Sequence, residues 1–402
     1  MKYKEEIHEL QWNRDMHYAL GFSKLWCRAV GVWPWQRNET SSIVRSGLFF
    51  TIQIAAAVSL MERLFVHGNC GSMPNFIEAL TGITVFMVTA MKILLPCLQQ
   101  EQMRHIIQSA MEDWSTVSDA RSRQIMSQYA FWGRLAYSIQ ITAAFIIVLE
   151  MTVSRLPKFI IETTENSSLS ARNLILGPPC WIPVTMPTSS YLLHYYLIFF
   201  SVWGAVLIYP GCDAFMFNAA LHICGQFEIL NSSIEKITDE DGHLNQRLRI
   251  RESLKRHNKL LTLGNQLNDM ANLIIFSELL SNGFLICVSG IAVLANIKNG
   301  SVNNDDINFG IRIYVWYMEL FMYTYVGEKL CDQAEKFQNA VYNCSWYNMS
   351  ASSAKDIKFI MMRNHSFCYL TAGGIFVMNY EAFKDITRIM FSCFSVLKLV
   401  LE

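Results

Sequence analysis

The stretch SYLLHYYLIFFSVWGAVLIY, residues 190–209, runs for twenty residues without an Asp, Glu, Lys or Arg. As an α-helix it rises about 30 Å, the thickness of a bilayer's hydrocarbon core. Working outward from it, residues 43–66, 74–95, 129–151, 267–295 and 309–326 form five further predominantly apolar blocks of spanning length. A seventh block, 372–401, is weaker, because Glu381, Lys384, Asp385 and Arg388 interrupt it and its apolar end is confined to 389–397. A charge at mid-membrane costs at least ~2.5–3.5 kcal/mol. This last block is therefore expected to face protein or water. The expected fold class is all-α, a seven-transmembrane-helix membrane protein.

Composition supports the same reading. Of 402 residues, 52% are hydrophobic and 16% charged, against roughly 25% charged in soluble proteins. The formal net charge is zero, which gives no argument for a nucleic-acid partner. Residues 1–42 are polar and contain no apolar run of signal-peptide type, so a cleaved leader is not expected. The eleven cysteines include no C-x-x-C pair, which fits neither a zinc site nor a dense disulfide framework.

Lys and Arg set the orientation. With the N-terminus inside, the internal segments 1–42, 97–128, 210–262 and 327–368 hold 21 basic residues. The external loops hold four: Arg155, Lys158, Arg172 and Lys298. The N-terminus is thus expected to be cytoplasmic. Three internal segments read as helices that continue spans: 214–237, 244–263 and 327–346. Three such extensions together predict a packed cytoplasmic anchor layer. The expected division is a cytoplasmic segment 1–42, a six-helix bundle 43–326 with internal extensions at 210–262, an anchor helix and loop 327–368, and a seventh span 369–402.

The second external loop, 152–189, is long and turn-rich, and carries the glycosylation sequon Asn166-Ser167-Ser168. Cys70 and Cys180 both fall in external loops, in an oxidising compartment, and are candidate disulfide partners; two unpaired thiols are the alternative. Catalytic patterns are absent: there is no H-E-x-x-H, G-x-S-x-G, Walker lysine loop or G-x-G-x-x-G. His222 with Cys224, or His365 with Cys368, lacks the second pair that a metal site needs, so no metal or other cofactor is expected. Arg312, Glu278 and Glu319 lie in or near spans. They are functional candidates by position, or structural pairs.

The last quarter of the chain carries specific motifs. Gly327-Glu328-Lys329-Leu330 is followed by Ala340-Val341-Tyr342, Trp346-Tyr347 and Phe359-Ile360-Met361-Met362-Arg363. Leu370-Thr371-Ala372-Gly373-Gly374, Tyr380-Glu381-Ala382-Phe383 and Phe391-Ser392-Cys393-Phe394-Ser395-Val396-Leu397 complete the order. This series resembles the C-terminal region of the insect odorant receptor family. Cys393 departs from it, since many members have Tyr there. A G-protein-coupled receptor would need an external N-terminus, and Asp-Arg-Tyr and Asn-Pro-x-x-Tyr are absent. A taste-type receptor channel of the same superfamily is a nearer alternative; Trp346 and the 391–397 motif favour the odorant branch.

The resemblance implies a ligand-gated, non-selective cation channel subunit in the plasma membrane of sensory neurons. It would be an odorant-binding subunit assembled with a co-receptor into a heterotetramer, because the longer second internal connection of the co-receptor is missing here. It implies an odorant pocket in the outer half of the second, third, fourth and sixth spans. Candidate lining residues are Ile83, Phe86 and Met87, then Ala144 and Val148, Tyr195 and Phe199, and Tyr314 and Tyr317. It implies that the extensions make the subunit interface, with Gly327, Tyr342 and Trp346 as candidates. The seventh span would line the pore. Glu381, Asp385, Ile389, Ser392 and Val396 share one face of it, acidic at one end and apolar at the other. Matching 394–397 to the family's gate motif places the gate at Val396.

Overall fold

The computed structural model describes residues 12–36, 39–68, 73–156, 174–182, 186–237, 243–298, 304–363 and 368–401. Helix α1 (Arg14–Val30) starts where the Asn13 side chain accepts from the Met16 N–H, and stops at Gly31 in the left-handed region, φ 88°. Helices α2 (Thr40–His67), α3 (Met73–Leu98), α4 (Gln100–Thr116) and α5 (Ala120–Ser154) follow. The Asp119 side chain caps α5 by accepting from the Ser122 N–H at 3.0 Å. Next come α6 (Thr188–Glu235), α7 (His243–Lys298), α8 (Asn304–Asn343), α9 (Ala351–Arg363) and α10 (Tyr380–Leu401).

Helices α6, α7 and α8 have 48, 56 and 40 residues, or about 72, 84 and 60 Å at 1.5 Å per residue. A hydrocarbon core of about 30 Å covers less than half of α6 or α7 and about half of α8. The three extensions expected from sequence are continuous with their spans. They pack on one another and on α9 into a core with Phe227 and Ile234 of α6, Leu260 of α7, Phe337 and Val341 of α8, and Ile357 of α9 buried. The His257 ring lies on Phe337 at 3.9 Å and 13°.

Polar ties lock the same layer. Arg256 donates to Asp113 Oδ1 at 2.6 Å and to Gln226 at 2.7 Å, and His222 Nε2 lies 3.1 Å from Asp113 Oδ2. Burial pushes the Asp113 carboxyl up, but the His222 hydrogen bond and the His222 and Arg256 charges outweigh it and hold it below its usual value. His222 is thus engaged with Asp113 rather than with a metal partner set, and Cys224 is a buried free thiol. His365 lies outside the described residues.

One expectation is corrected. The block 372–401 is not one helix. Thr371–Ala372 pairs antiparallel with Phe376–Val377 across a three-residue turn, in which Gly373 and Gly374 have φ 63° and 71° and the Ile375 N–H donates to the Ala372 carbonyl at 3.1 Å. The helix begins only at Tyr380, where Asn379 Oδ1 accepts from the Ala382 N–H at 2.8 Å. Length and composition by themselves single out five of the seven expected spans. Among the described residues, five helices are long and apolar enough to cross a membrane: α2, α3, α5, α6 and α7. Block 309–326 lies within α8, but Arg312, Glu319 and its Tyr and Trp residues lower its hydropathy. Helix α10 carries four charged residues in its first nine.

Candidate ligand cavity and pore helix

A cavity of about 160 Å³ lies between α3, α5, α6 and α8, the four spans where the family resemblance implies a pocket. Val85 and Phe86 of α3, Ala144, Ile147 and Val148 of α5, Val202, Ala205 and Val206 of α6, and Val315 and Trp316 of α8 give it an almost wholly apolar lining. A void of this size is comparable with the ~150 Å³ cavity that takes up benzene.

Its roof is a folded part of the second loop. Leu174, Ile175 and Leu176 are buried there, and Leu176 reaches the cavity. Arg155 donates to the Ile175 carbonyl at 2.8 Å and ion-pairs with Glu78, which also lies 3.4 Å from Arg312. Trp181 is fully buried; its indole donates to the Gly68 carbonyl at 2.9 Å, and its carbonyl accepts from the Arg63 guanidinium at 2.6 Å. Gly177, at φ 95°, permits the approach, since a Cβ there would stand 2.5 Å from the Trp181 ring. Cys180 is disulfide-bonded and nine other cysteines are free. The candidate partner, Cys70, and the sequon at Asn166 lie outside the described residues.

The floor is polar. Gln140, Tyr209 and Glu319 border it. Immediately beyond, Lys92 Nζ lies 2.7 Å from Asp213 Oδ1, in an ion pair with Glu278, and 3.6 Å from Glu319 Oε1. It also sits 3.3 Å from the centre of the Tyr209 ring. Tyr323 donates to Asp213 at 2.7 Å and Asn282 donates to Glu319 Oε2 at 3.0 Å. Oxygens of the three carboxylates lie within 4.8 Å of one another, a spacing that suits a metal ion. The Lys92 ammonium occupies that position and supplies the positive charge. Sequence reading found Glu278 and Glu319 but missed Lys92 and Asp213. The available signal was a lysine inside the apolar block 74–95 and an aspartate just past 190–209.

Among the candidate pocket residues, Phe86, Ala144 and Val148 line the cavity. Ile83 is buried in the adjoining core without lining it. The rest require correction. Tyr314 is 60% exposed and Met87 is also exposed, so both point out of the bundle. Tyr195 is buried higher on α6, with its hydroxyl 3.5 Å from the Arg155 carbonyl, and Phe199 packs on Phe200 and Trp203. Tyr317 turns to α10: its hydroxyl is 3.2 Å from Thr387 Oγ1 and its ring 5.1 Å from Phe383. It links the cavity helix to the last helix.

On α10, Phe383 and Ile386 pack against the core and Met390 is buried in it. Glu381, Asp385, Ile389, Ser392 and Val396 all lie on the exposed side. Of the candidate interface residues, Tyr342 is exposed and Trp346 half-buried. Gly327 is corrected: it is buried within the subunit, where a Cβ would stand 2.1 Å from the Met378 carbonyl oxygen.

These features define a multi-pass α-helical membrane protein with a roofed apolar cavity and a half-charged final helix. The family model described as 7tm Odorant receptor matches residues 72–391, and the chain belongs to that family, one of receptors rather than enzymes. Odorant receptor 22c of Drosophila melanogaster is 22% identical over 249 residues, covering 54% of this chain and 61% of that receptor. Odorant receptor 10 of Aedes albopictus is 23% identical over 264 residues, 59% of this chain and 69% of that one. The match therefore spans under two-thirds of the first of these relatives. The fold is that of the insect olfactory receptor OR5 from Machilis hrabei, solved with eugenol: TM-score 0.78 at 13% identity, covering 96% of this chain and all of that one. The same receptor in a second structure gives 0.77 at 12% identity, over 97% and 98%.

Proposed function

We propose that the chain is the odorant-binding subunit of a ligand-gated cation channel in the sensory-neuron plasma membrane. The observation that carries this reading is the apolar, roofed cavity between α3, α5, α6 and α8. A related fold holds a small aromatic molecule, eugenol. The chain crosses the bilayer seven times from a cytoplasmic N-terminus, with α8 and α10 as the two charged spans, shielded by neighbours. It assembles with a co-receptor into a heterotetramer, the extension layers forming the contact and the exposed face of α10 lining the pore with Val396 as its gate. Cys180 pairs with Cys70, and Asn166 carries glycan.

A mechanism follows from α8. One side of it presents Val315, Trp316 and Glu319 to the cavity, while Tyr317 touches Thr387 and Phe383 of α10. A ligand that displaces α8 moves the pore helix. It must favour the open state, because equal binding to both states shifts nothing. Burying ~250 Å² of ligand contributes about 6 kcal/mol at ~25 cal/mol per Å², an affinity in the tens of micromolar.

The test is current recording from cells expressing this chain with a co-receptor, across an odorant panel. Ala144→Trp fills the cavity and is expected to raise effective concentrations at least about tenfold, with surface expression retained. Unchanged dose–response curves for every active odorant would place the binding site elsewhere.

A further inference from the structure

The cavity floor has a charge imbalance that the apolar walls do not explain. Three buried carboxylates, Asp213, Glu278 and Glu319, meet one ammonium, Lys92. Among the described residues no other cation forms an ion pair with any of the three. Lys92 is closest to Asp213 and Glu278, and stands farther from Glu319. Glu319 is 2% exposed, borders the cavity, and its Oε1 accepts no hydrogen bond. Gln140, across the floor on α5, also has a buried Oε1 with no donor. Buried acceptors without donors are costly, and an incompletely paired buried carboxylate more so.

We infer that this floor is a subsite for the ammonium group of a small amine whose apolar body fills the cavity above. This rests on the odorant-receptor reading and names the ligand class for the same cavity. An ammonium brings donors and no acceptor, matching two unmet acceptors. It also brings one positive charge to a cluster with more acidic than basic groups. Tyr209 borders the same floor, and its ring already carries the Lys92 ammonium at 3.3 Å, so this environment holds a desolvated ammonium by carboxylates and an aromatic face together. The walls suit an apolar body of benzene size. Arg312 and the Glu78–Arg155 pair lie at the opposite, roof end, so the two ends of the cavity differ in sign and the amine has one orientation.

The experiment compares benzylamine, benzyl alcohol and ethylbenzene, matched in size, on cells expressing this chain with a co-receptor. Each is scored by the current it evokes, and benzylamine also by its block of the ethylbenzene current. In the wild type benzylamine is expected to act at concentrations about tenfold below the other two. Glu319→Gln is expected to abolish that preference, and Gln140→Leu, which removes no charge but takes the Nε2 donor 3.5 Å from Asp213 Oδ2, to reduce it. Equal potency of the three in the wild type overturns the amine subsite, as does ethylbenzene current that benzylamine neither matches nor blocks. Both outcomes leave the odorant-receptor reading standing. Silence of the co-expressed receptor to a broad panel of esters, alcohols and amines would overturn both.

Discussion

At the residue scale, two positions convert local chemistry into measurable behaviour. His257 lies in the extension part of α7, stacked on Phe337, and burial pushes its pKa down to about 4. An unfolded histidine titrates near 6.5. The folded value is depressed, so protons bind the unfolded chain first. The stability this neutral ring contributes is complete above about pH 6.5 and falls as pH drops toward 4. The thermal midpoint of the detergent-purified protein is expected to fall between pH 7 and pH 5, and His257→Phe to flatten that fall. Gly327 is the second position. Its missing Cβ lets the Met378 carbonyl approach α8 and dock the hairpin that leads into α10. Gly327→Ala forces backbone apart and is expected to cost about 1–3 kcal/mol, read as a lower midpoint at every pH. The contrast separates the two: one effect depends on protons and the other does not.

At the scale of elements, length and charge were legible and facing was not. Twenty uncharged residues at 190–209 define a span without further information, and the three extensions follow from apolar periodicity beyond it. Which aromatic of α8 meets the cavity does not follow, because successive helix residues turn by about 100°. Trp316 and Glu319 share the cavity side, whereas Tyr317, one step from Trp316, meets α10, and Tyr314 points outward. The buried cluster was equally hidden, since Lys92 and Asp213 are 121 positions apart and only packing of α3 on α6 joins them. The hairpin before α10 is not legible because Gly373 and Gly374 stand at the head of a block, 372–401, whose length alone suits a span. On α10 the side bearing Glu381, Asp385, Ile389, Ser392 and Val396 is uncovered in the single subunit, as are Lys384 and Arg388, while Phe383 and Met390 turn inward. An acidic face ending on an apolar residue suits cation passage with a dewetting constriction. Val396→Cys, expressed with a co-receptor, is expected to let a charged thiol reagent change the odorant-evoked current, faster with odorant present. Current that the reagent leaves untouched would remove Val396 from the pore.

At the scale of the whole molecule, exposed apolar surface falls into two classes with different solvents. On the spans, Phe65, Leu193 and Ile146 are exposed where lipid tails are the expected neighbour, and their exposure has no cost there. In the extension layer, Tyr342, Tyr347 and Met362 are just as exposed, with Met362 at 79%. They lie at and beyond the end of α8, whose 40 residues exceed the length that a bilayer covers, so water rather than lipid is the expected neighbour. Large exposed apolar side chains in an aqueous layer mark a protein contact, and four subunits around a pore would supply it. The charged face of α10 points the same way, since it is uncovered in a single chain and too polar for lipid. Tyr342→Asp and Met362→Asp place charges on that surface without touching the cavity or the buried core. Each is expected to lower co-purification with the co-receptor and the odorant-evoked current together, while the variant alone keeps the wild-type thermal midpoint. A charge at the edge of such a contact costs little, and one at its centre several kcal/mol. The double variant should therefore lose at least about tenfold in recovered complex if these residues are central. Recovery equal to wild type for both would move the subunit contact away from the ends of α8 and α9.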